Sequence, residues 1–515
     1  PCADLPEGAS SARQTAPVLK RAAPGATPLT ALSPAAAPAR LPLSQTLVFS
    51  AASFPLGALA VAVAVYLPPY FASHLGLSLT AIGGAWAVVR LLDILVDPVL
   101  GVVMDRTRTR FGRYRVWMVV GSPVLMVSLY MLFEAPHGVG SAYLIGWLLV
   151  MYLGTSILGL GHTAWGANLA RSYDDRSRLF GVLAAVGVGG AVVVLIIPIV
   201  AAALGRADAD GVRGMGWLMI WATPVAVALV AWRTPETITR DVSPERFAPR
   251  EYWALIAKPD LLRLFLAQIA LTMGPGWMSA LYVFFFTDAR GYSTEQASLL
   301  LLVYVLAGVA GAPAAARLAV RFGKHRTLMI STTAYSLGLC AIFIIPKGNV
   351  PAALLPMFWC GFMAAGFDLM VRAMLADVGD EVRLEQGKER MSLIYALNGL
   401  AVKLASAFAI GVTFPLLARF GYHAAAQGAN TPEAIRSLEL AYIVGPIIFV
   451  MLGGACVIGW RLDATRHADI RRRLDARDAL FDGAPVLEGL SGEPAIAVTP
   501  QGAAPPAPLG GTQVP

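Results

Sequence analysis

Two short stretches decide the fold: Arg110-Phe-Gly-Arg-Tyr-Arg115 and Arg321-Phe-Gly-Lys-His-Arg326. Both read basic–Phe–Gly–basic–aromatic–Arg, and they lie 211 residues apart. Each follows a long apolar run, and a second apolar run begins just after it. Working outward, the chain resolves into apolar stretches separated by short Gly-, Pro- or Arg-marked breaks. Six are expected near 44–72, 80–104, 116–135, 142–168, 178–204 and 214–233. A polar stretch, 234–260, follows. Six more are expected near 261–287, 293–316, 327–346, 351–376, 391–418 and 438–461. In each half the repeated loop follows the second run, so the chain reads as two related six-helix units.

Composition supports a membrane solvent. Of 515 residues, 57% are hydrophobic and only 14% charged, whereas soluble chains carry about 25% charged residues. Lipid-facing helices need apolar residues on every side. The four cysteines (Cys2, Cys340, Cys360, Cys456) are scattered, with neither disulfide nor metal-ligand spacing. No HExxH, GxSxG, Walker or kinase signature occurs in a plausible context, so no enzyme is expected. The net charge of +8 is accounted for by loops. Asp105 to Arg115 holds five Arg against one Asp, and Arg317, Arg321, Lys324 and Arg326 mark the matching loop. The positive-inside rule then places both loops, both termini and the central loop in the cytoplasm. Little remains to suggest a nucleic-acid partner.

The expected organisation is a disordered cytoplasmic tail over 1–41 rather than a signal peptide, an N-terminal six-helix bundle over 42–233, a central cytoplasmic loop over 234–260, a C-terminal six-helix bundle over 261–463, and a mostly disordered cytoplasmic tail over 464–515. The tail's basic segment, RHADIRRRLDAR, reads as a solvated or lipid-surface helix. The GVGG run, 187–190, reads as close helix packing.

The chemistry is concentrated in Arg90-Leu-Leu-Asp93-Ile-Leu-Val-Asp97-Pro98. Two acids four apart share one helix face, and each costs at least about 2.5–3.5 kcal/mol within a bilayer. They read as a cation or proton site; an ion pair with Arg90 or Lys403 that only fastens helices is the alternative. His162 reads either as a titratable or substrate-bonding group or as a structural histidine bonded to a neighbouring carbonyl. Asp368 and Arg372, four apart, are cavity candidates that could instead neutralise each other. Trp165 is a stacking candidate against a packing role.

Arg-x-x-Asp-x-x-x-Asp-Pro, then Gly101-Val-Val-Met-Asp105-Arg106 and Gly112-Arg113-Tyr-Arg115, resembles the signature of the glycoside–pentoside–hexuronide:cation symporters of the major facilitator superfamily. Ala376-Asp377-Val-Gly-Asp380, Gly387-Lys-Glu-Arg390 and Lys403 are similar to that family's later motifs. The resemblance spans about residues 45–460 and implies an all-α membrane protein of the major facilitator fold, with twelve helices in two bundles and a cavity between them at mid-membrane. It implies that Asp93 and Asp97 are coupling-cation ligands and Lys403 a charge in the cavity. Gly101, Asp105, Arg106, Gly112 and Arg113 would then form the gating motif, although the loop arginines could also bind anionic lipid. The implied activity is cation-coupled symport of a small organic solute, a sugar or glycoside, by a multi-pass protein of the bacterial inner membrane. A monomer in contact with membrane lipid is expected, with no cofactor beyond the co-transported proton or sodium ion.

The departures bear on the substrate. Aligned on Trp165, Gly161 stands where a well-known member has an Asp shared between cation and sugar. Gly57 and Val186 stand near its sugar-binding Asp and Arg. A carrier of amphipathic, lysophospholipid-like molecules is therefore the rival expectation. Protons are the expected coupling ion and sodium the alternative, since sodium wants several oxygen ligands.

Overall fold

The computed structural model describes residues 41–107, 109–170, 173–236, 255–387, 390–424 and 430–482. The expectations for the two terminal tails fall largely outside them. The described residues are helical throughout apart from short connections. A short helix α1 (Leu43–Ser50) leads through a turn into α2 (Ser53–Ser73), so the first expected span is broken rather than continuous. Then come α3 (Leu79–Arg106), α4 (Tyr114–Phe133), α5 (Ser141–Leu169), α6 (Tyr173–Ala203) and α7 (Asp208–Arg233). The second half holds α8 (Pro259–Ala289), α9 (Thr294–Phe322), α10 (Lys324–Ile344), α11 (Val350–Gln386), α12 (Met391–Arg419) and α13 (Pro432–Ala455), followed by α14 (Ala464–Asp482).

Helices α2 to α13 are the twelve spans. Eleven of them are long and apolar enough to cross a membrane. The twelfth, α3, is 28 residues long but carries Arg90, Asp93 and Asp97 in its middle. Its start is fixed by Ser78, whose side chain accepts the Ala81 N–H, an ordinary N-cap. Helix α9 begins with a reciprocal Ser293–Gln296 capping box. Helix α11 outruns the expected 351–376 by ten residues and stops at Gly387, which takes the left-handed conformation.

The repeat is visible in three dimensions. Val88 and Leu95 are exposed on α3, and Leu299 and Leu306, each 211 residues later, are exposed on α9. The two bundles meet where α3 packs on α12, α6 on α9, and the π-turn of α2 on α8. Small residues allow the approach: a Cβ on Gly83 would lie 2.8 Å from the Pro415 ring, and one on Gly411 2.8 Å from Ala87. The polar ties between bundles lie at mid-helix and on the face opposite the Arg-rich loops. There Tyr66 Oη and Ser298 Oγ are 2.8 Å apart, and Thr294 donates to Asp208 at 2.7 Å.

One expectation is corrected. The basic segment after 464 is neither free nor merely surface-bound. As α14 it docks on the end of α11, burying Ile470 and Leu474. Arg466 reaches Glu381 at 2.8 Å, and His467 reaches Asp380 at 3.0 Å. The sequence showed the cations; their partners on α11 are about ninety residues away.

Candidate functional site: a charged cluster beside a central cavity

The two acids of α3 do not stand alone. Lys403 of α12 lies between them, 2.8 Å from Asp93 Oδ2 and in direct contact with Asp97 Oδ2. Arg90, one turn before Asp93, sits 3.5 Å from the same oxygen. Its guanidinium lies over the Tyr152 ring, 4.4 Å from the centroid. Ser156 of α5 donates to Asp93 Oδ1 at 3.0 Å. Asp93 is 3% exposed, so burial makes these partners necessary. Asp97 Oδ1 is buried without a hydrogen-bond partner. Pro98 has no N–H to give the Ile94 carbonyl, which leaves another oxygen without its helical donor one turn back. Two carboxylates and two cations therefore balance, and the tie between them crosses from one bundle to the other.

Next to this cluster lies a cavity of about 450 Å³, within the usual range for small-molecule sites. Helices α2, α3, α5, α8 and α12 line it, and Arg90 is its one charged lining residue. The wall is otherwise mostly apolar, with Leu56, Leu59, Trp86, Met151 and Ile410 prominent.

The other sequence-chosen residues are placed elsewhere. His162 is buried with Nε2 2.8 Å from the Phe49 carbonyl oxygen and its ring 4.5 Å from that of Phe49. It pins α5 to α1, which is the structural alternative. Trp165 is also buried, donating to the Pro235 carbonyl at 3.2 Å with the Arg115 guanidinium over it. Neither lines the cavity. Asp368 and Arg372 pair with each other at 2.6 Å and are both more than half exposed, so they too lie outside it.

In the loop motif, Gly101 has nothing near a would-be Cβ and Arg106 is exposed; the side chain of Asp105 falls outside those described. Gly112 has φ +120°, a region that disfavours other residues. Its neighbours Arg113 and Tyr114 both donate backbone N–H groups to Glu236 Oε1 at 2.7 Å, and Arg115 donates to Oε2 at 3.2 Å. An acid just past α7 thus caps α4, satisfying donors that a helix start leaves open. Sequence reading missed Glu236, Tyr152 and Ser156. The only signal was an acid directly after the last apolar run of the half.

Gly57 of α2, near which an acidic sugar anchor is expected to be missing, leaves no room for a side chain. A Cβ on Gly57 would overlap the Gly187 backbone of α6, so no side chain fits there without moving a helix. The GVGG run serves the same packing, since Gly190 abuts the Phe54 carbonyl.

Comparison with known proteins agrees with this fold. The profile of the family described as MFS/sugar transport protein matches residues 48–464. The uncharacterized symporter YnaJ of Bacillus subtilis is 24% identical, over 86% of this chain and 96% of its own. The isoprimeverose transporter of Lactiplantibacillus pentosus is 23% identical, over 87% and 97%. Among solved structures, the nucleoside transporter NupG superposes with a TM-score of 0.60 at 12% identity, covering 81% of this chain and all of that one; at that identity the match speaks for the fold. The chain is an integral, multi-pass membrane transporter rather than an enzyme, and it belongs to the MFS/sugar transport protein family.

Proposed function

We propose that the protein is a cation-coupled symporter that moves a small organic solute, of sugar or glycoside size, by alternating access. The observation that carries this reading is the Lys403 ammonium of one bundle seated between the Asp93 and Asp97 carboxylates of the other. Buried charges must be paired, so Lys403 stands in for the coupling ion while the site is empty. An entering cation or proton takes a carboxylate over from Lys403 and so loosens that tie. The bundles then gain freedom to rock about the cavity, where the solute waits.

Protons are the leading coupling ion. Once Lys403 is displaced from between them, the two carboxylates can hold one proton, and α5 contributes no third acid. His162, engaged with the Phe49 carbonyl, takes no part. Sodium is the second reading, favoured by the oxygens gathered here: both acids, Ser156 Oγ, and the Ile94 carbonyl.

The 42–233 and 261–463 bundles rock against each other about the cavity, in the bacterial inner membrane, with the Arg-rich loops and both termini in the cytoplasm. The protein acts as a monomer, and Gly101, Asp105, Arg106, Gly112 and Arg113 serve as its cytoplasmic gating motif. The test of coupling is uptake into proteoliposomes driven by a pH gradient without sodium, against a sodium gradient at symmetrical pH. Accumulation under neither gradient overturns symport, and accumulation with sodium alone overturns the proton assignment.

A further inference from the structure

We infer that the second bundle binds the phosphodiester of an anionic phospholipid beside its Arg-rich loop. The start of α10, Arg321 and Arg326 hold the phosphate, and the acyl chains run along α9 and α11. The site is a second cavity, of about 840 Å³, which shares no lining residue with the central one.

The internal repeat supplies the chemistry. Gly112 and Gly323 lie 211 residues apart. Both have positive φ, +120° and +87°, and both lead directly into the start of a helix. In the first half the N–H groups of Arg113, Tyr114 and Arg115 enclose the Glu236 carboxylate. Their counterparts are the N–H groups of Lys324, His325 and Arg326, and all three residues line the cavity. Among the described residues no acid takes these donors, and no side chain caps the start of α10. The acid placed like Glu236, just past the last span, is Asp463. Its Oδ1 faces the start of α14 instead, accepting the Arg466 N–H and the Thr465 hydroxyl. The second half therefore keeps an anion cradle without an acid of its own to fill it, at a helix end suited to phosphate.

Charge points the same way. Lys324 is engaged with Asp377 at 2.6 Å, and His467 with Asp380 at 3.0 Å. Arg321 and Arg326 line the cavity, are exposed, and form no ion pair among the described residues. Their planar guanidinium groups suit phosphate oxygens. The rest of the wall indicates that the phosphate carries chains. Val320 is 91% exposed, Phe322 43% and Leu369 37%, and with Ala316 they border the same cavity on two membrane-spanning helices. A free phosphate leaves this wall bare, whereas acyl chains cover it. Trp460 also lines the cavity, and tryptophan is favoured at the level of lipid headgroups. Basic pockets between spans recognise anionic lipids through this combination.

Native mass spectrometry of the full chain, released from detergent, counts bound lipids one at a time. The probes are dioleoyl phosphatidylglycerol, dioleoyl phosphatidylcholine with the same chains, and glycerophosphoglycerol, the anionic headgroup without chains. The first phosphatidylglycerol should bind roughly tenfold or more tighter than the first phosphatidylcholine. Glycerophosphoglycerol in about hundredfold excess should not displace it. Arg321→Gln/Arg326→Gln should bring the two lipids to equal affinity. Arg106→Gln/Arg110→Gln removes the same charge from the loop whose cradle Glu236 fills, and it should leave the preference intact. Equal affinity of the parent chain for the two lipids overturns the anion assignment, and displacement by glycerophosphoglycerol overturns the lipid in favour of a soluble anion. Equal losses in the two double variants overturn the location, since diffuse loop charge then accounts for the preference. None of these readouts depends on transport, so any failure leaves the symport reading standing.

Discussion

Glu236 accepts the backbone N–H of Arg113 at 2.7 Å across 123 residues of sequence. With its bonds to Tyr114 and Arg115, it holds the start of α4 to the point where the chain leaves the first bundle. Arg115 reinforces this by donating to the Thr234 carbonyl at 2.7 Å. The repeated loop is therefore fixed by the segment that joins the two bundles. The matching loop of the second half is fixed differently, by Lys324 reaching Asp377 at 2.6 Å. Glu236→Ala should cost about 1–2 kcal/mol of stability by removing the cap. Glu236→Gln, which keeps an acceptor but loses the charge, should cost less. Gly112→Ala should cost as much as the first, since a Cβ there meets the Glu236 carboxylate at an unfavourable φ. Thermal unfolding in detergent, followed by tryptophan fluorescence, gives the order; equal stability of Glu236→Ala and the parent would sink the capping role.

Asp93 and Asp97 should differ in kind. Asp93 serves Lys403, Arg90 and Ser156 and is nearly fully buried, whereas Asp97 has Lys403 and one open oxygen. Asn at either position should abolish gradient-driven accumulation. Asp93→Asn should also lower stability by roughly 3 kcal/mol, as breaking a buried pair does, and Asp97→Asn by clearly less. Solute exchange without a gradient should survive better in Asp97→Asn. Normal accumulation by both variants would exclude the pair as the coupling site.

How far the sequence reached depends on the range of each interaction. The spans, the repeat and the acid pair were legible because they are local: hydrophobic runs, a six-residue echo, a four-residue spacing. Lys403 was nameable as a partner for the acids because a lone cation in an apolar helix needs one. What could not be read was which helices line the cavity, and at what level. His162 and Trp165 lie about two turns or more past Thr155 on α5, beyond the level of the cavity, and Asp368 and Arg372 sit on α11, which does not line it. Phe49, the partner of His162, is 113 residues away and carries no polar side chain to mark it. Glu236 was hidden for a related reason, since its partners are backbone groups that every residue has.

His162 gives the third prediction. Its imidazole joins α5 to α1 through the Phe49 carbonyl and a ring contact. His162→Ala should cost about 1–3 kcal/mol, as loss of a buried hydrogen bond and its packing does. The pH profile of uptake should keep its shape, because the group is remote from the carboxylates. A profile whose midpoint moves in His162→Ala would instead assign it a part in proton transfer.

The docking of α14 gives the last. Its inner face meets Asp380 and Glu381 of α11 through Arg466, His467 and Arg471, and Ile470 and Leu474, one and two turns after Arg466, are buried on that same face. Surface pairs of this kind contribute little singly, about 0–1 kcal/mol, so the two apolar anchors should dominate. Leu474→Ala should therefore release the helix more readily than Arg466→Ala, with the double variant Arg466→Ala/Arg471→Ala between them and more sensitive to salt. The start of α14 adds a pH term. Asp463 accepts the Arg466 N–H and the Thr465 hydroxyl, and these bonds hold its carboxyl below the usual range. A depressed carboxylate stabilises at pH values above its unfolded value, and the benefit is lost as pH falls through the lower folded value. The first turn should thus fray only below about pH 4 and stay capped through neutrality. Hydrogen exchange of residues 464–482 reads all of these. Protection that is unchanged in Leu474→Ala would contradict this account of the docking.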